Sequence, residues 1–594
     1  MSDTSEEQTP QNEDAPVTTP STASGISEIQ DPPTSFGGIF RKLGPGLIIA
    51  ASIVGSGELI ATTKTGAQAG ISLLWLIVVG CVIKVFVQVE LGRVAISQGE
   101  TTLTSLNRVP GPRLGVSWII WYWLIMMLVG FGQLGGIIGG VGQAMALARP
   151  LTGDYVEAIQ YPSETELKRY IAWDDDKQND EGVELAMLAD EYQKRIVRAQ
   201  QVIESRLQNL DATKPGLASE TVSLVRTLIE KEREAKNRED AGETFDRKQF
   251  LKAEKDAVSA VLTPRTWDDK YWSVAVAVLT IVLLVRGKYG LIQNVSTFLV
   301  VGFTFITIGN VVALQFKPEF AMSAGEIFAG LVPLLPDSGV APPGLPYWEL
   351  KQPLATALAT FGIIGVGATE LVAYPYWCIE KGYAKFTGPR TNDEAWYRRA
   401  NGWIHVMKWD AFASMLIYTI ATLAFFFMGV AVMYQNGLDP EGMRMVSTLL
   451  EQYVPVFGEY AKWLFLVGAI AVLYSTYLVA NAAWTRVYTD AFKVFGLMSR
   501  DNEKSHNLSI LVLAIVLPLI SMGLWCSGIN PVKLVLLSGL MQAIMLPMLG
   551  FAALWFRYTK TDEPIWPGRV WDGCLILSCI GLLIAGAWGA YSSL

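Results

Sequence analysis

The chain has 594 residues, 51% of them hydrophobic and only 17% charged, with a formal net charge of −8. A soluble domain carries about 25% charge, and several apolar runs here reach the roughly 18 residues that mark a membrane helix, so a string of soluble domains is excluded. The acidic balance removes the basic face that a nucleic-acid partner needs, and five Cys with two His (His405 and His506) are too few and too scattered for a zinc site or a disulfide framework.

Residues 1–36 are rich in Ser, Thr, Pro, Asp and Glu, and no Lys or Arg precedes Arg41. That composition cannot bury enough apolar surface to fold, so a disordered cytoplasmic tail is expected. A signal peptide would need a basic start and an early apolar run. Eleven membrane spans are expected at 44–66, 71–97, 117–147, 271–286, 289–315, 354–381, 408–434, 460–486, 507–526, 531–556 and 570–592. Each is read as a helix, because backbone groups in lipid must satisfy one another. The fold class is therefore an all-α polytopic membrane protein. Lys and Arg concentrate in alternate loops: Arg108 and Arg113, Arg286 and Lys288, Lys381 to Arg399, Arg486 to Lys504, and Arg557 with Lys560. This bias predicts a plasma-membrane protein with its N-terminus in the cytoplasm and its C-terminus outside.

Residues 37–149 hold the first three spans and 270–594 the other eight, with a charged insert at 150–269 between them. Within EYQKRIVRAQQVIESRLQNL, apolar residues recur at three and four positions (Ile196, Ala199, Val202, Ile203, Leu207, Leu210), which is the pattern of an amphipathic helix. A soluble helical hairpin or small bundle is expected, external by the charge bias, with a structural role or an unknown docking partner.

The most informative pattern is internal. The first span contains Gly55-Ser-Gly-Glu58-Leu-Ile-Ala61 and the sixth Gly367-Ala-Thr-Glu370-Leu-Val-Ala373. Both read G-x-x-E-L-(I/V)-A, five spans apart, and an odd number of spans inverts direction. Inverted five-helix repeats are a transporter architecture whose site lies where the first helix of each half is broken. Gly55, Gly57 and Gly367 weaken the helix locally, and an unwound stretch frees carbonyls that serve as cation ligands. Glu58 and Glu370 place carboxylates inside apolar runs, where an ionisable group costs about 2.5–3.5 kcal/mol unless it faces a cavity or a partner. Two such acids brought together repel unless a cation lies between them or one takes a proton. A cation site follows, the competing reading being ion pairs with Lys64 or Lys84.

At this point the sequence resembles the Nramp divalent-metal transporter family, within the LeuT-fold group. GPGLIIAASIVGSGELIATTKTGAQAG is similar to the family's first helix, LLWLIVVGCVIKVFVQVELGRVAISQG to its second, YGLIQNVSTFLVVGFTFITIG to its fifth and VLLSGLMQAIMLPMLGFAALWF to its tenth. The resemblance implies a 5+5 inverted repeat with an eleventh helix. It also implies a secondary transporter that moves a divalent metal by alternating access. Departures are informative. Where the family has Asp-Pro-Gly-Asn, this chain has Gly55, Ser56, Gly57 and Glu58; the family's Met ligand falls at Thr369 and its carbonyl ligand at Val366. The third-helix acids of the proton path are replaced by Gln133 and Gly136, and the tenth-helix Gln falls at Gly539, with Gln542 one turn on.

The resemblance therefore implies substrate ligands at Glu58, Glu370 and Thr369, carbonyls near Gly55 and Val366, and a weaker candidate in Ser56. A site of carboxylates and a hydroxyl suits hard Mg²⁺ or Mn²⁺, and the missing proton-path acids imply transport without proton coupling. The same scaffold also carries amino acids and other small organic solutes, which is the alternative. No Walker motif, nucleophile–base pair, haem or flavin signature is present, so neither enzymatic activity nor a resident cofactor is expected.

Secondary expectations complete the reading. The run Gly132, Gly135, Gly136, Gly139 and Gly140 is a helix-packing surface. Tyr477 and Asn481 read first as polar residues on a helix seam and second as candidates to face the site, Tyr374 and Tyr376 flank a Pro375 kink, and Trp403, Trp409 and Trp463 read as interface anchors.

Overall fold

The computed structural model describes residues 29–178, 190–286, 289–335, 353–499 and 502–593; most of the expected tail lies outside them. From Gln30 onward the chain is tied down: its N–H donates to the Phe386 carbonyl at 3.1 Å and its carbonyl accepts from the Trp403 indole at 2.9 Å.

Every expected span coincides with a helical segment, and the first and sixth are each split in two. The first span is α1 (Pro45–Ile53), then a widened turn over Gly57–Thr62 that runs into α2 (Thr63–Ala69). The second is α3 (Leu74–Val82) and α4 (Lys84–Gln98), and the third is α5 (Trp118–Ala148). The insert supplies α6 (Glu164–Gln178), α7 (Asp190–Thr213), α8 (Leu217–Asp240) and α9 (Lys252–Leu262). Then come α10 (Asp268–Arg286), α11 (Tyr289–Leu314), the split sixth span α12 (Pro353–Ile363) and α13 (Ala368–Lys381), and α14 (Glu394–Met428). The last four are α15 (Ala461–Val494), α16 (Glu503–Cys526), α17 (Pro531–Thr559) and α18 (Arg569–Ser593). Among the described residues, eight helical stretches are long and apolar enough to cross a membrane. The protein is a multi-pass membrane protein.

Local chemistry sets the helix starts. Pro45 and Pro531 stand at the first helical position, where a missing N–H costs nothing. Asp393, Asn502 and Asn530 accept hydrogen bonds from first-turn N–H groups of α14, α16 and α17. Small residues then let the helices meet closely. A Cβ at Gly136 would sit 2.6 Å from the Pro531 carbonyl and one at Gly139 2.6 Å from the Trp525 ring, so the glycine run of α5 packs on α16 and α17. Gly362 of α12 and Gly539 of α17 leave no room for any side chain, because each faces a carbonyl of the other helix.

The insert has its own apolar cluster, in which Ala199, Ile203, Leu207 and Leu210 of α7 meet Val225 and Leu228 of α8. Its two ends are cross-bonded. Asp268 accepts from the N–H groups of Thr152 (2.7 Å) and Gly153 (2.9 Å), while Asp154 accepts from those of Trp267 (2.5 Å) and Asp268 (3.2 Å). Arg169 donates to the Gly437 carbonyl (2.6 Å) and Tyr155 to that of Met443 (2.7 Å), which fastens the insert to the segment after α14.

One expectation is corrected. Trp403 is fully buried, packed on Tyr383 and Phe386 at ring-centroid distances of 5.6 and 4.9 Å, because the short segment after α13 folds over it. Trp409 and Trp463 are exposed, as anchors require. Tyr477 lies on the seam with α16, where its hydroxyl pairs with Ser521 (2.6 Å), and the Asn481 amide donates to the Tyr477 carbonyl one turn back (2.8 Å).

Candidate functional site

The two interruptions have different local causes. In the first span, α1 stops at Val54 (φ −66°, ψ 82°). Gly55 is required there for proximity, since any Cβ would overlap the Thr476 hydroxyl of α15. Thr476 Oγ1 is buried and, among the described residues, has no hydrogen-bond partner. Gly57 is helical, in the widened turn, and passes the Ile363 carbonyl of α12. In the sixth span the chain leaves α12 after Ile363 and resumes at Ala368. Gly365 carries the positive φ (+58°) that the break needs, whereas Gly367 is the extended N-cap of α13.

Both glutamates sit at these breaks. Glu58 is buried; its Oε2 accepts from the Gly55 N–H (3.3 Å) and its Oε1 from the Thr422 hydroxyl of α14 (3.0 Å). The Cys81 thiol lies beside the same Thr422. Glu370, half-buried in the first turn of α13, accepts from Thr369 Oγ1 at 2.8 Å. The two carboxylates lie within electrostatic reach of each other.

A polar chain runs from one break to the other. Ser56 Oγ accepts from Gln133 Nε2 (3.3 Å), and Gln133 Oε1 accepts from Gln542 Nε2 (2.8 Å). Gln542 Oε1 in turn accepts from the Thr369 hydroxyl (3.1 Å) and the Thr369 N–H (3.3 Å). Ser56, Gln133, Gln542, Thr369 and Glu370 thus form one connected series. Of the residues inferred from sequence, Ser56, Thr369 and Glu370 are joined in this series by side chain, while the Glu58 carboxylate bonds to Gly55 and Thr422 at the first break. Val366 lies buried inside the sixth-span break, and Gly539 packs against α12. Among the described residues, no group of three or more His, Cys, Asp or Glu forms a cation cage, so a cation here would depend on two carboxylates plus hydroxyl, amide and carbonyl oxygens.

The lysines do not pair with the glutamates. Lys64 pairs with Asp439, and with Glu441 at 3.2 Å, on one side of the breaks. Lys84 is fully buried; its ammonium donates to the carbonyls of Phe361 and of Ile364 (2.7 Å) and lies 4.7 Å from the Phe361 ring centroid. On the side opposite Lys64, the Asp410 carboxylate of α14 accepts from the N–H groups of Gly44 (2.8 Å) and Gly46 at the start of α1, and from the Tyr374 hydroxyl of α13 (3.1 Å). Thr422 and Asp410 were not named from sequence, and Gln542 and Lys84 were named only as a neighbour of the tenth-helix Gln position and as a possible ion-pair partner. The readable signal for Asp410 was a carboxylate within an apolar run, KWDAFAS.

Residues 259–562 match the family model described as natural resistance-associated macrophage protein-like, Nramp. The chain belongs to the Nramp family. No curated protein matches this Nramp chain by sequence. Among solved structures it is similar to a histidine-to-alanine variant of the Eremococcus coleocola manganese transporter, with 13% identity, a TM-score of 0.54, and 94% of this chain and 88% of that one covered. It is also similar to that transporter in complex with an aromatic bis-isothiourea substituted compound, with 14% identity, a TM-score of 0.50, and coverage of 95% and 90%. At such identity the likeness establishes the fold: an all-α, LeuT-like membrane architecture.

Proposed function

We propose that this Nramp-family protein is a secondary transporter that moves a divalent cation of the Mg²⁺ or Mn²⁺ kind by alternating access. Its cargo would sit between the two helix breaks, held by Glu58, Glu370 and Thr369, with Ser56 and carbonyls near Gly55 and Val366 completing the shell. The observation that carries this reading is the polar chain from Ser56 to Glu370, which joins both breaks through Gln133 and Gln542, with Glu370 at one end and Glu58 two residues along from the other. Family membership and the manganese-transporter fold support it.

The same geometry disfavours an anionic or zwitterionic solute. In this scaffold the carboxylate of an organic substrate is held by exposed N–H groups at a helix break. Here the Gly55 N–H is taken by Glu58 and the Thr369 N–H by Gln542, and Glu370 stands in the first turn of α13. Oxygen donors favour hard ions. Gln133, where typical members carry proton-path acids, supports transport without proton coupling. In this reading the N-terminus is cytoplasmic, the insert and C-terminus are external, and the protein neither catalyses a reaction nor keeps a resident cofactor.

Proteoliposome uptake of Mg²⁺, Mn²⁺ and amino acids tests the reading, with Glu58→Gln and Glu370→Gln alongside. Uptake of a divalent ion should fall by at least about tenfold in each variant, since each loses one charge at a low-dielectric site. Undiminished ion uptake in both variants, or amino-acid uptake alone, refutes it. Cadmium competing as well as Mg²⁺ refutes the hard-ion assignment.

A further inference from the structure

Among the described residues, Lys84 is the cation that the structure places in the sixth-span break. It stands at the first position of α4, fully buried, and its ammonium donates to the Phe361 and Ile364 carbonyls. These carbonyls lie at the C-terminal end of α12, where four carbonyls lose their intrahelical partners and the helix presents its negative pole. Glu58 and Glu370 are both within electrostatic reach of the same ammonium, yet neither forms a direct ion pair with it. Lys84 therefore meets the break as a metal ion would, through backbone oxygens, with the carboxylates one step further out.

We infer that Lys84 is a tethered counter-cation of the transport site: it stabilises the break before cargo arrives and competes with the incoming divalent ion for the same negative field. This rests on the cation-transport reading above. Two carboxylates with Lys84 give a formal charge of −1, and cargo brings the site to +1. Without Lys84 the same cargo is neutralised. A side chain that reaches the break from α4, outside both broken helices, also makes binding depend on how α4 sits against α12. The residue thereby sets affinity: a site of two acids and no lysine would hold a divalent ion more tightly and release it more slowly.

The test is Mn²⁺ binding to purified full-length protein by isothermal titration, comparing the wild type with Lys84→Met, Lys84→Arg and Glu58→Gln. Lys84→Met should bind at least about tenfold more tightly, because a repelling charge has left a low-dielectric site. Lys84→Arg keeps the charge and should bind no more tightly than the wild type. Unchanged or weaker binding in Lys84→Met, with its thermal melt intact, overturns the inference, because a lysine that only props up the carbonyls gives that result. Tighter binding in Lys84→Arg overturns it too; if Lys84→Met does not fold, Lys84→Gln, which loses the charge but keeps an N–H donor for the carbonyls, takes its place, and unchanged or weaker binding there overturns the inference. Glu58→Gln keeps the two failures apart. If it binds Mn²⁺ like the wild type, the site assignment fails; if it loses binding while Lys84→Met gains none, only the role of Lys84 falls.

Discussion

Asp410 offers a direct way to open one side of the molecule. Its carboxylate holds two backbone N–H groups at the start of α1 and the Tyr374 hydroxyl on α13, and so ties both broken spans to α14 at one end. A hydrogen bond to a charged acceptor contributes about 1.5–3 kcal/mol, and water entering a loosened end recovers part of that. At ~1 kcal/mol for each of three bonds, Asp410→Ala should favour the unlatched state by about 3 kcal/mol, or roughly 150-fold. Asp410→Asn keeps one acceptor oxygen, and about tenfold is expected. Cys378 is a built-in reporter: it is buried, one turn beyond Tyr374, and beside Asp410. Its labelling by a small maleimide, followed by peptide mass mapping, should accelerate in the order wild type, Asn, Ala. Cys526, partly exposed on α16, should label at the same rate in all three. Equal Cys378 rates in the three proteins would show that Asp410 merely packs, and acceleration at Cys526 would signal general unfolding.

Two further tests probe the supporting structure. Gly55→Ala drives a methyl into the Thr476 hydroxyl, an overpacking cost of about 1–3 kcal/mol that should lower thermal stability; Thr476→Ala removes the hydroxyl but leaves its Cβ 2.6 Å from the new methyl, so it should recover only part of the loss, and additive losses in the double variant would refute the contact. In the insert, burial raises the Glu166 carboxyl, but Arg206, at 2.8 Å, and Arg444 bring it below the ordinary carboxylate range. A depressed folded value stabilises above the unfolded pKa of about 4.3 and loses that contribution as pH falls below it. Protection of α6 in hydrogen exchange, corrected for intrinsic rates, should therefore drop below that pH in the wild type, and an identical drop in Glu166→Gln would exclude this carboxyl as the cause.

The placement of the breaks was legible because it is written locally: two glycine-bearing, glutamate-bearing runs inside apolar spans. The partners were not, because they arrive from far along the chain. Thr422 is 364 residues from Glu58, and Gln542 is 173 residues from Thr369. Which glycine turns the sixth-span break was also hidden. Gly365 and Gly367 are equally permissive on paper, and only the path from α12 to α13 requires the left-handed conformation at Gly365. Lys84 was readable as a buried base that needed a partner, and the competing reading gave it a carboxylate. Carbonyls at a broken helix end satisfy an ammonium equally well, and they exist only once the helix has stopped. Trp403 misled for a related reason: an aromatic near a span end reads as an anchor until Tyr383 and Phe386 cover it.

The first span is latched separately at its two ends, and this has a consequence for leakage. Asp410 holds the start of α1, while Lys64, on α2, pairs with Asp439 and Glu441 in the segment after α14. Between them the chain passes Val54 and Gly55, where the helix is interrupted, so strain at one end is not carried rigidly to the other. If the latches act independently, Lys64→Met should loosen its own face and leave Cys378 labelling unchanged. Breaking a buried pair by removing one partner costs about 3–5 kcal/mol, ample to populate the open state of that face. The double variant Asp410→Ala with Lys64→Met would then open both faces at once for part of the time. Cation leak through proteoliposomes loaded with a metal-quenched dye should exceed the sum of the two single variants. A double variant that leaks no faster than the leakier single one would mean that α1 and α2 move as one rigid rod, and the interruption at Gly55 would then serve binding alone.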